Sequence, residues 1–193
     1  MTLNYQITFL GDWHCGSGLS GGAEADAIVI RDRSNLPYIP GKTIKGLIKD
    51  ALYEMTEVNP AISVNLINHL LGAEFRDPNN PEKVLYTEKG HAHFSNAELS
   101  ATEKTEITPE LSNFLYRNLA STQIEKDLGV AKANSLRVME VCIPVTLEGC
   151  IGGIDSDEQI QVLENALKWV RHMGTNRNRG LGRCKMTITS KQA

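Results

Sequence analysis

Apolar and polar residues alternate at the start of the chain. Tyr5, Ile7 and Phe9 share one face and Asn4, Gln6 and Thr8 the other, so Asn4 to Leu10 reads as a half-buried strand. The period then lengthens. Ile44, Leu47, Ile48, Ala51, Leu52 and Met55 recur at three- and four-residue steps, which predicts a helix opening near Gly41, with Lys42, Lys45 and Lys49 on another face. Between the two, Asp26 to Ile30 and Pro37 to Ile39 read as short extended pieces, and the prolines at 37 and 40 keep the second out of the middle of a sheet. Asn59-Pro60 predicts the start of a second helix and Gly72 its end.

The middle of the chain is less regular. Residues 76–90, rich in proline, asparagine and charge, read as a loop or insertion, and His91 to Leu99 as a strand. Thr108-Pro109-Glu110 predicts a helix whose buried stripe is Leu111, Phe114, Leu115 and Leu119. Gln123 to Arg137 has no period and contains Gly129 and Asn134, so it reads as a long mobile loop. Val141, Ile143, Val145 and Leu147 alternate as a strand, with Pro144 marking an edge or a bulge. Ser156 caps a helix with Asp157 and Glu158 in its first turn, Ile160, Leu163, Leu167 and Val170 along one line, and Arg171 and His172 in its last turn before Gly174. Cys184 to Ser190 closes the chain as a strand. Strand, helix, strand and again strand, helix, strand is the split βαβ order of a ferredoxin-like α+β fold with an antiparallel sheet, a plan also used by RNA-recognition modules.

The charge is unevenly spread. The chain has net charge −3, yet from Asn165 onward there are seven lysines and arginines and no acidic residue, so residues 1–164 carry −10. Within that basic stretch, Gly174-Thr-Asn-Arg-Asn-Arg-Gly-Leu-Gly-Arg183 holds three arginines and three glycines. Glycine lets backbone approach a phosphodiester and adopt positive φ, and arginine forks clamp phosphate oxygens from the side, so the segment reads as a polyanion site; the plain alternative is a solvated turn. The four cysteines, Cys15, Cys142, Cys150 and Cys184, form no CxxC pair, and the expectation is free thiols in a reducing cytoplasm. No apolar run approaches the 18 or more residues that a membrane helix requires, and no membrane partner is expected. A length of 193 residues suits one domain, expected to span 1–193 with insertions around 73–90 and 100–137.

Gly41-Lys42-Thr43 at a helix start invites a phosphate-loop reading, but Leu36 stands where that loop needs its first glycine, with prolines on both sides of the segment. A helix N-terminus with Lys42 and Lys45 still suits phosphate in a sequence-independent way. His91 and His93 form an HxH on one face of the expected strand; with no third ligand nearby in sequence they read as a structural or solvated pair, and His69 as an ordinary helical histidine. His14 sits in Trp13-His14-Cys15-Gly16-Ser17-Gly18, a glycine loop after the first strand, where tryptophan and histidine either stack on bases or pack at the loop's base. Asp26 lies just beyond, with Arg31, Asp32 and Arg33 behind it; a carboxylate there either recruits a divalent ion or acts on a ribose hydroxyl, or caps a turn.

Taken together, Trp13 to Gly18, Ala25-Asp26-Ala27-Ile28-Val29-Ile30-Arg31-Asp32, Leu36-Pro37-Tyr38-Ile39-Pro40-Gly41-Lys42-Thr43-Ile44-Lys45-Gly46 and Gly174 to Arg183 resemble the RAMP superfamily of CRISPR proteins, and within it the repeating backbone subunit of type III effector complexes. The resemblance implies a ferredoxin-like core with an inserted thumb, placed near Gln123 to Arg137. It implies partners: a guide CRISPR RNA, a target RNA, other RAMP subunits and the large subunit. It also implies that His14, Gly16, Ser17, Gly18, Gly41, Lys42, Thr43, Lys45, Arg177, Arg179, Gly180, Gly182 and Arg183 hold RNA. Asp26 falls where the family carries its target-cleaving aspartate, which works with a divalent cation, Mg2+ or Mn2+, as a loosely bound cofactor. A non-catalytic structural subunit and an endoribonuclease that matures guide RNA are the alternatives.

Overall fold

The computed structural model describes residues 1–22, 24–60 and 62–192. Strand β1 (Thr2–Phe9) buries every second side chain, so that Leu3, Tyr5, Ile7 and Phe9 face the core. It is flanked by β10 (Cys184–Gln192) on one side and β9 (Thr146–Gly152) on the other, both antiparallel. The sheet continues through β6 (Ala97–Glu98) to β2 (Tyr38–Ile39), and β5 (His93–Phe94) also pairs with β9. Two long helices lie in the connections. Helix α1 (Gly41–Val58) follows β2, α5 (Asp157–Trp169) joins β9 to β10, and the two pack on each other. The strand order β10-β1-β9-β5/β6 with these helices between is compatible with the ferredoxin-like plan.

Helix α1 is where the periodicity predicts it: Ile44, Ile48, Ala51, Leu52 and Met55 are buried. Leu47 is only half-buried, at the margin of the stripe. Helix α2 (Val64–Leu71) starts later than Asn59-Pro60 predicts, because Ser63 caps it by accepting a hydrogen bond from the Leu66 N–H; Gly72 ends it as expected. Helix α5 ends at Trp169, so Arg171 and His172 fall beyond it rather than in its last turn.

Four other expectations are corrected. Residues 76–90 are no irregular loop: β3 (Ala73–Asp77) and β4 (Asn80–Glu88) make a hairpin outside the main sheet, with Phe75 stacked on Tyr86 at 4.4 Å. His91 to Leu99 is not one strand but β5 and β6, interrupted where the Ser95 N–H and hydroxyl both turn to Cys150. The predicted helix at Thr108 shrinks to α4 (Pro109–Ser112) and a 3-10 turn, after a short α3 (Ala101–Glu106). Leu111 and Phe114 of its supposed stripe are exposed, and Leu119 lies in a strand. Finally, Val141 to Leu147 is broken at Pro144: residues before it belong to β8 (Arg137–Cys142), which pairs with β7 (Tyr116–Ser121) in a sheet of its own, and residues after it begin β9. Gln123 to Arg137 is therefore the end of a two-stranded arm, with Ile124 bridged to Ala131.

The four cysteines are free, and three are buried. Burial pushes the Cys142 thiol up to about 12 and Cys184 up to about 11. At neutral pH these thiols stay protonated and serve as small core residues.

Candidate nucleic-acid interface

The Gly174–Arg183 loop is built on the turn that follows β1. The Thr175 N–H donates to the His14 carbonyl at 2.9 Å, the Gly182 N–H to the Asp12 carbonyl at 2.8 Å, and the Met173 N–H to the Gly182 carbonyl at 2.9 Å. Gly174 at φ +89° and Gly182 at φ +71° occupy the left-handed region, and a side chain at either would run into a carbonyl oxygen, of His14 or of Met173. Asn176, also left-handed, opens the short 3-10 turn Arg177–Arg179, and its carbonyl accepts from the Arg179 N–H. Leu181 is the loop's apolar anchor, and Arg177, Arg179 and Arg183 are exposed. Among the described residues, none of the three arginines forms an ion pair or a side-chain hydrogen bond.

Two clefts meet at Arg179. One, of about 290 Å³, is lined by Ser121, Thr122, Gln123, Ser135, Arg137 and Arg179; the other, of about 580 Å³, by Arg137 together with Gly174 to Arg179. Arg137 and Arg179 line both. The outer end of the β7–β8 ladder, where Arg137 faces Ser121, and the glycine–arginine loop thus share a basic groove whose walls offer hydroxyl and amide groups as well. Local sequence patterns do not point to Arg137, because it joins the loop through the pairing of distant strands; its neighbours Leu136, Val138 and Met139 carry no sign of the partner.

Asp26 lies alongside strand β8 of the same arm. Its N–H donates to the Val138 carbonyl at 2.7 Å and its Oδ2 accepts from the Val138 N–H at 2.8 Å, one residue from Arg137. The residue is exposed, and Oδ1 has no protein partner among the described residues. One carboxylate with a free oxygen suits a magnesium-type ion that keeps most of its waters and takes its other oxygens from phosphate, rather than a resident ion in a protein cage.

The loop that carries His14 is folded inward. Trp13 is buried, stacks on Phe9 at 4.4 Å and donates from Nε1 to the Ile143 carbonyl. His14 is 3% exposed, and its Nδ1 donates to the Glu140 carbonyl at 2.6 Å. Its ring has no open face for a base; it fastens this loop to β8. Ser17 is spent in a similar way, its hydroxyl donating to the Ile28 carbonyl and accepting from the Leu19 N–H, while Gly16 and Gly18 stay exposed at the rim. Behind them is a polar pillar. Glu140 Oε1 accepts from the Val29 N–H at 2.8 Å and pairs with Arg31, whose guanidinium lies 4.0 Å from the Tyr116 ring centroid and donates to Asn35 Oδ1 at 2.7 Å. The pillar ties residues 29–35 to both strands of the arm.

Helix α1 begins apart from this groove. Gly41 sits so close to Phe94 and Ser95 that any side chain would strike their carbonyl oxygens, and its N–H donates to Asn96 Oδ1 at 3.1 Å. The Thr43 and Ile44 N–H groups turn back to the Pro40 carbonyl. The expected row of unpaired donors is consequently largely satisfied. Lys42 is exposed, whereas Lys45 folds against the Ala92 carbonyl, and burial, with Lys49 as a lesser cause, lowers its pKa. The clefts that hold Arg179 are lined by residues other than Gly41 to Lys45.

Fold and site together define an antiparallel α+β protein that presents a basic groove where a glycine–arginine loop meets a projecting arm. The family model for the RAMP superfamily matches residues 6–185, and the chain belongs to that superfamily. Among solved structures it is similar to a chain in the cryo-EM structure of the type III-B Cmr-beta bound to cognate target RNA, with a TM-score of 0.72 and 15% identity over 97% of each chain. It is similar also to a chain of the apo-state Cmr-beta, with a TM-score of 0.73 and 15% identity over 99% of this chain and 98% of that one. No curated protein matches it in sequence. No helix among the described residues is long and apolar enough to cross a membrane.

Proposed function

We propose that this chain is a guide-RNA-binding backbone subunit of a type III CRISPR effector complex, assembled with other RAMP subunits and a large subunit. In this reading it holds the guide in the groove of Arg137, Arg177 and Arg179 and cuts the complementary target beside Asp26. The observation that carries the reading is the set of exposed arginines without acidic partners in a protein whose remaining charge is strongly negative. Such guanidinium groups bind phosphate bidentately without first breaking an internal pair. The fold shared with chains of an RNA-bound type III-B assembly supports the same reading.

For cleavage, the attacking group is the ribose 2′-hydroxyl beside the scissile phosphate: its oxygen bonds to phosphorus as the 5′-oxygen departs and takes a proton from water, leaving a 2′,3′-cyclic phosphate and a 5′-hydroxyl, and no covalent intermediate forms on the chain. Asp26 is held by Val138 with one oxygen free to accept from the 2′-hydroxyl or from a cation's water. A divalent ion bound there would supply charge neutralisation at the phosphate. Arg137 and Arg179 keep the strand against the arm.

The buried, hydrogen-bonded ring of His14 speaks against a guide-maturing endoribonuclease with that histidine as acid or base. The test has two arms. Arg177→Ala with Arg179→Ala is expected to weaken binding to all single-stranded RNAs alike and to flatten the log–log salt dependence by about 1.4, since each phosphate no longer neutralised removes about 0.7 from the slope; sequence-selective weakening with an unchanged slope overturns the groove. Asp26→Asn in the assembled complex is expected to leave guide binding intact and abolish target cleavage, as chelation does for the wild type. Normal cutting by the variant would leave a structural subunit.

A further inference from the structure

Far in sequence from each other, His69, His91 and Asp155 meet at the exit of the β3–β4 hairpin. We propose that they form a binding site for a late first-row divalent cation, zinc foremost, that clips the hairpin's base to the loop ahead of α5. One donor atom from each lies within 4.8 Å of the other two. His69 Nε2 and Asp155 Oδ2 are 3.5 Å apart, close to the roughly 3.3 Å between two ligands of a tetrahedral zinc with bonds of about 2.0–2.1 Å. The two imidazoles stack with centroids at 4.3 Å and planes at 26°. His91 is exposed, and neither of its ring nitrogens has a protein partner among the described residues, so turning that ring brings its donor toward the pair.

The backbones under the three side chains are fixed independently of any metal. The His91 N–H donates to the His69 carbonyl at 3.1 Å and the Ala92 N–H to that of Leu70 at 2.9 Å, which locks the second histidine to the end of α2. Gly153, at φ +73°, lies so close to the His91 carbonyl that a side chain would collide with it, so the 153–155 loop is seated on the same residue. Asp155 is held in turn by Gln159, a buried side chain of α5 that accepts from its N–H at 2.8 Å. An ion pair would need only His69 and Asp155; the second imidazole, stacked and otherwise unengaged, completes a donor set of two nitrogens and one carboxylate oxygen with a fourth position for water. Imidazole-rich sets favour zinc, nickel and copper over magnesium, so this site and the oxygen-only environment of Asp26 take different ions. His93, the other half of the sequence's HxH, is outside the set. The inference does not depend on RNA binding.

Tag-free protein stripped with a chelator and titrated with zinc at about pH 7.5, where imidazole is mostly neutral, is expected to take up one equivalent by calorimetry and to melt at a higher temperature when loaded. Cobalt in its place should give the visible absorption of a tetrahedral site. His69→Ala with His91→Ala should lose that equivalent and the melting shift, and Asp155→Asn should weaken binding by about tenfold or more. Because Asp155 is exposed and nearly isosteric with asparagine, the second variant tests the site even where the double histidine variant folds poorly. No uptake by the wild type, or unchanged uptake by folded Asp155→Asn and by the double variant, overturns the proposal and leaves a stacked histidine pair beside a carboxylate.

Discussion

Gly182 and Gly180 stand two positions apart, both at positive φ, yet their surroundings differ. A methyl group at Gly182 would meet the Met173 carbonyl, while one at Gly180 would meet open space. Gly182→Ala is therefore expected to cost about 1–3 kcal/mol, and Gly180→Ala, which carries only the left-handed backbone penalty, about 1 kcal/mol, compared by urea midpoints. Equal costs would mean that the loop is not held through its return past Met173. The glycine–arginine composition made this loop legible as an anion site, but which glycine is indispensable depends on a carbonyl nine residues back. His14 shows the same limit. Its partners, the carbonyl of Glu140 and the N–H of Thr175, lie more than a hundred residues away, so nothing beside it in sequence distinguishes a buried fastener from an exposed base platform.

Among elements, burial separates two apolar stripes that the sequence presents as equals. Ile48 of α1 is fully buried, so Ile48→Ala is expected to destabilise by about 2–5 kcal/mol. Phe114, 76% exposed, should tolerate serine within about 0.5 kcal/mol. Thermal or urea melts of the two variants check the ordering; a large loss at Phe114 would mean that the 3-10 turn packs inward. The α1 stripe was legible because six apolar positions over three turns outweigh any local ambiguity. The stripe from Leu111 to Leu119 was not, because Tyr116 to Ser121 is drawn into pairing with β8, and cross-strand hydrogen bonds from residues 137–142 override the helical spacing. The same long-range pairing hid Arg137 from the site while leaving Arg177 and Arg179 visible. Both hairpins lie outside the main sheet, and β4 has no buried residue.

Across the whole molecule, the helices and β1, β9 and β10 form the packed body, and the β7–β8 arm stands off it with Ile124, Leu128, Val130 and Leu136 exposed at its end. Limited trypsin digestion is expected to cut first after Lys126 or Lys132, before any site in α1 or α5, read by mass spectrometry of the fragments. Early cleavage within α1 instead would show a body looser than its burial implies. A longer consequence comes from the pairing of β1 with β10, in which Thr2 faces Gln192 and Phe9 faces Cys184. Contacts that span almost the whole chain form late, because the loop entropy must be met before they stabilise anything. During synthesis, β1 emerges well ahead of both neighbours, β9 following only from Thr146 and β10 from Cys184. The arginine loop lies immediately ahead of β10 and is anchored to the turn after β1, so a ribosome-bound chain still lacking its last strand offers no assembled groove to the RNA around it.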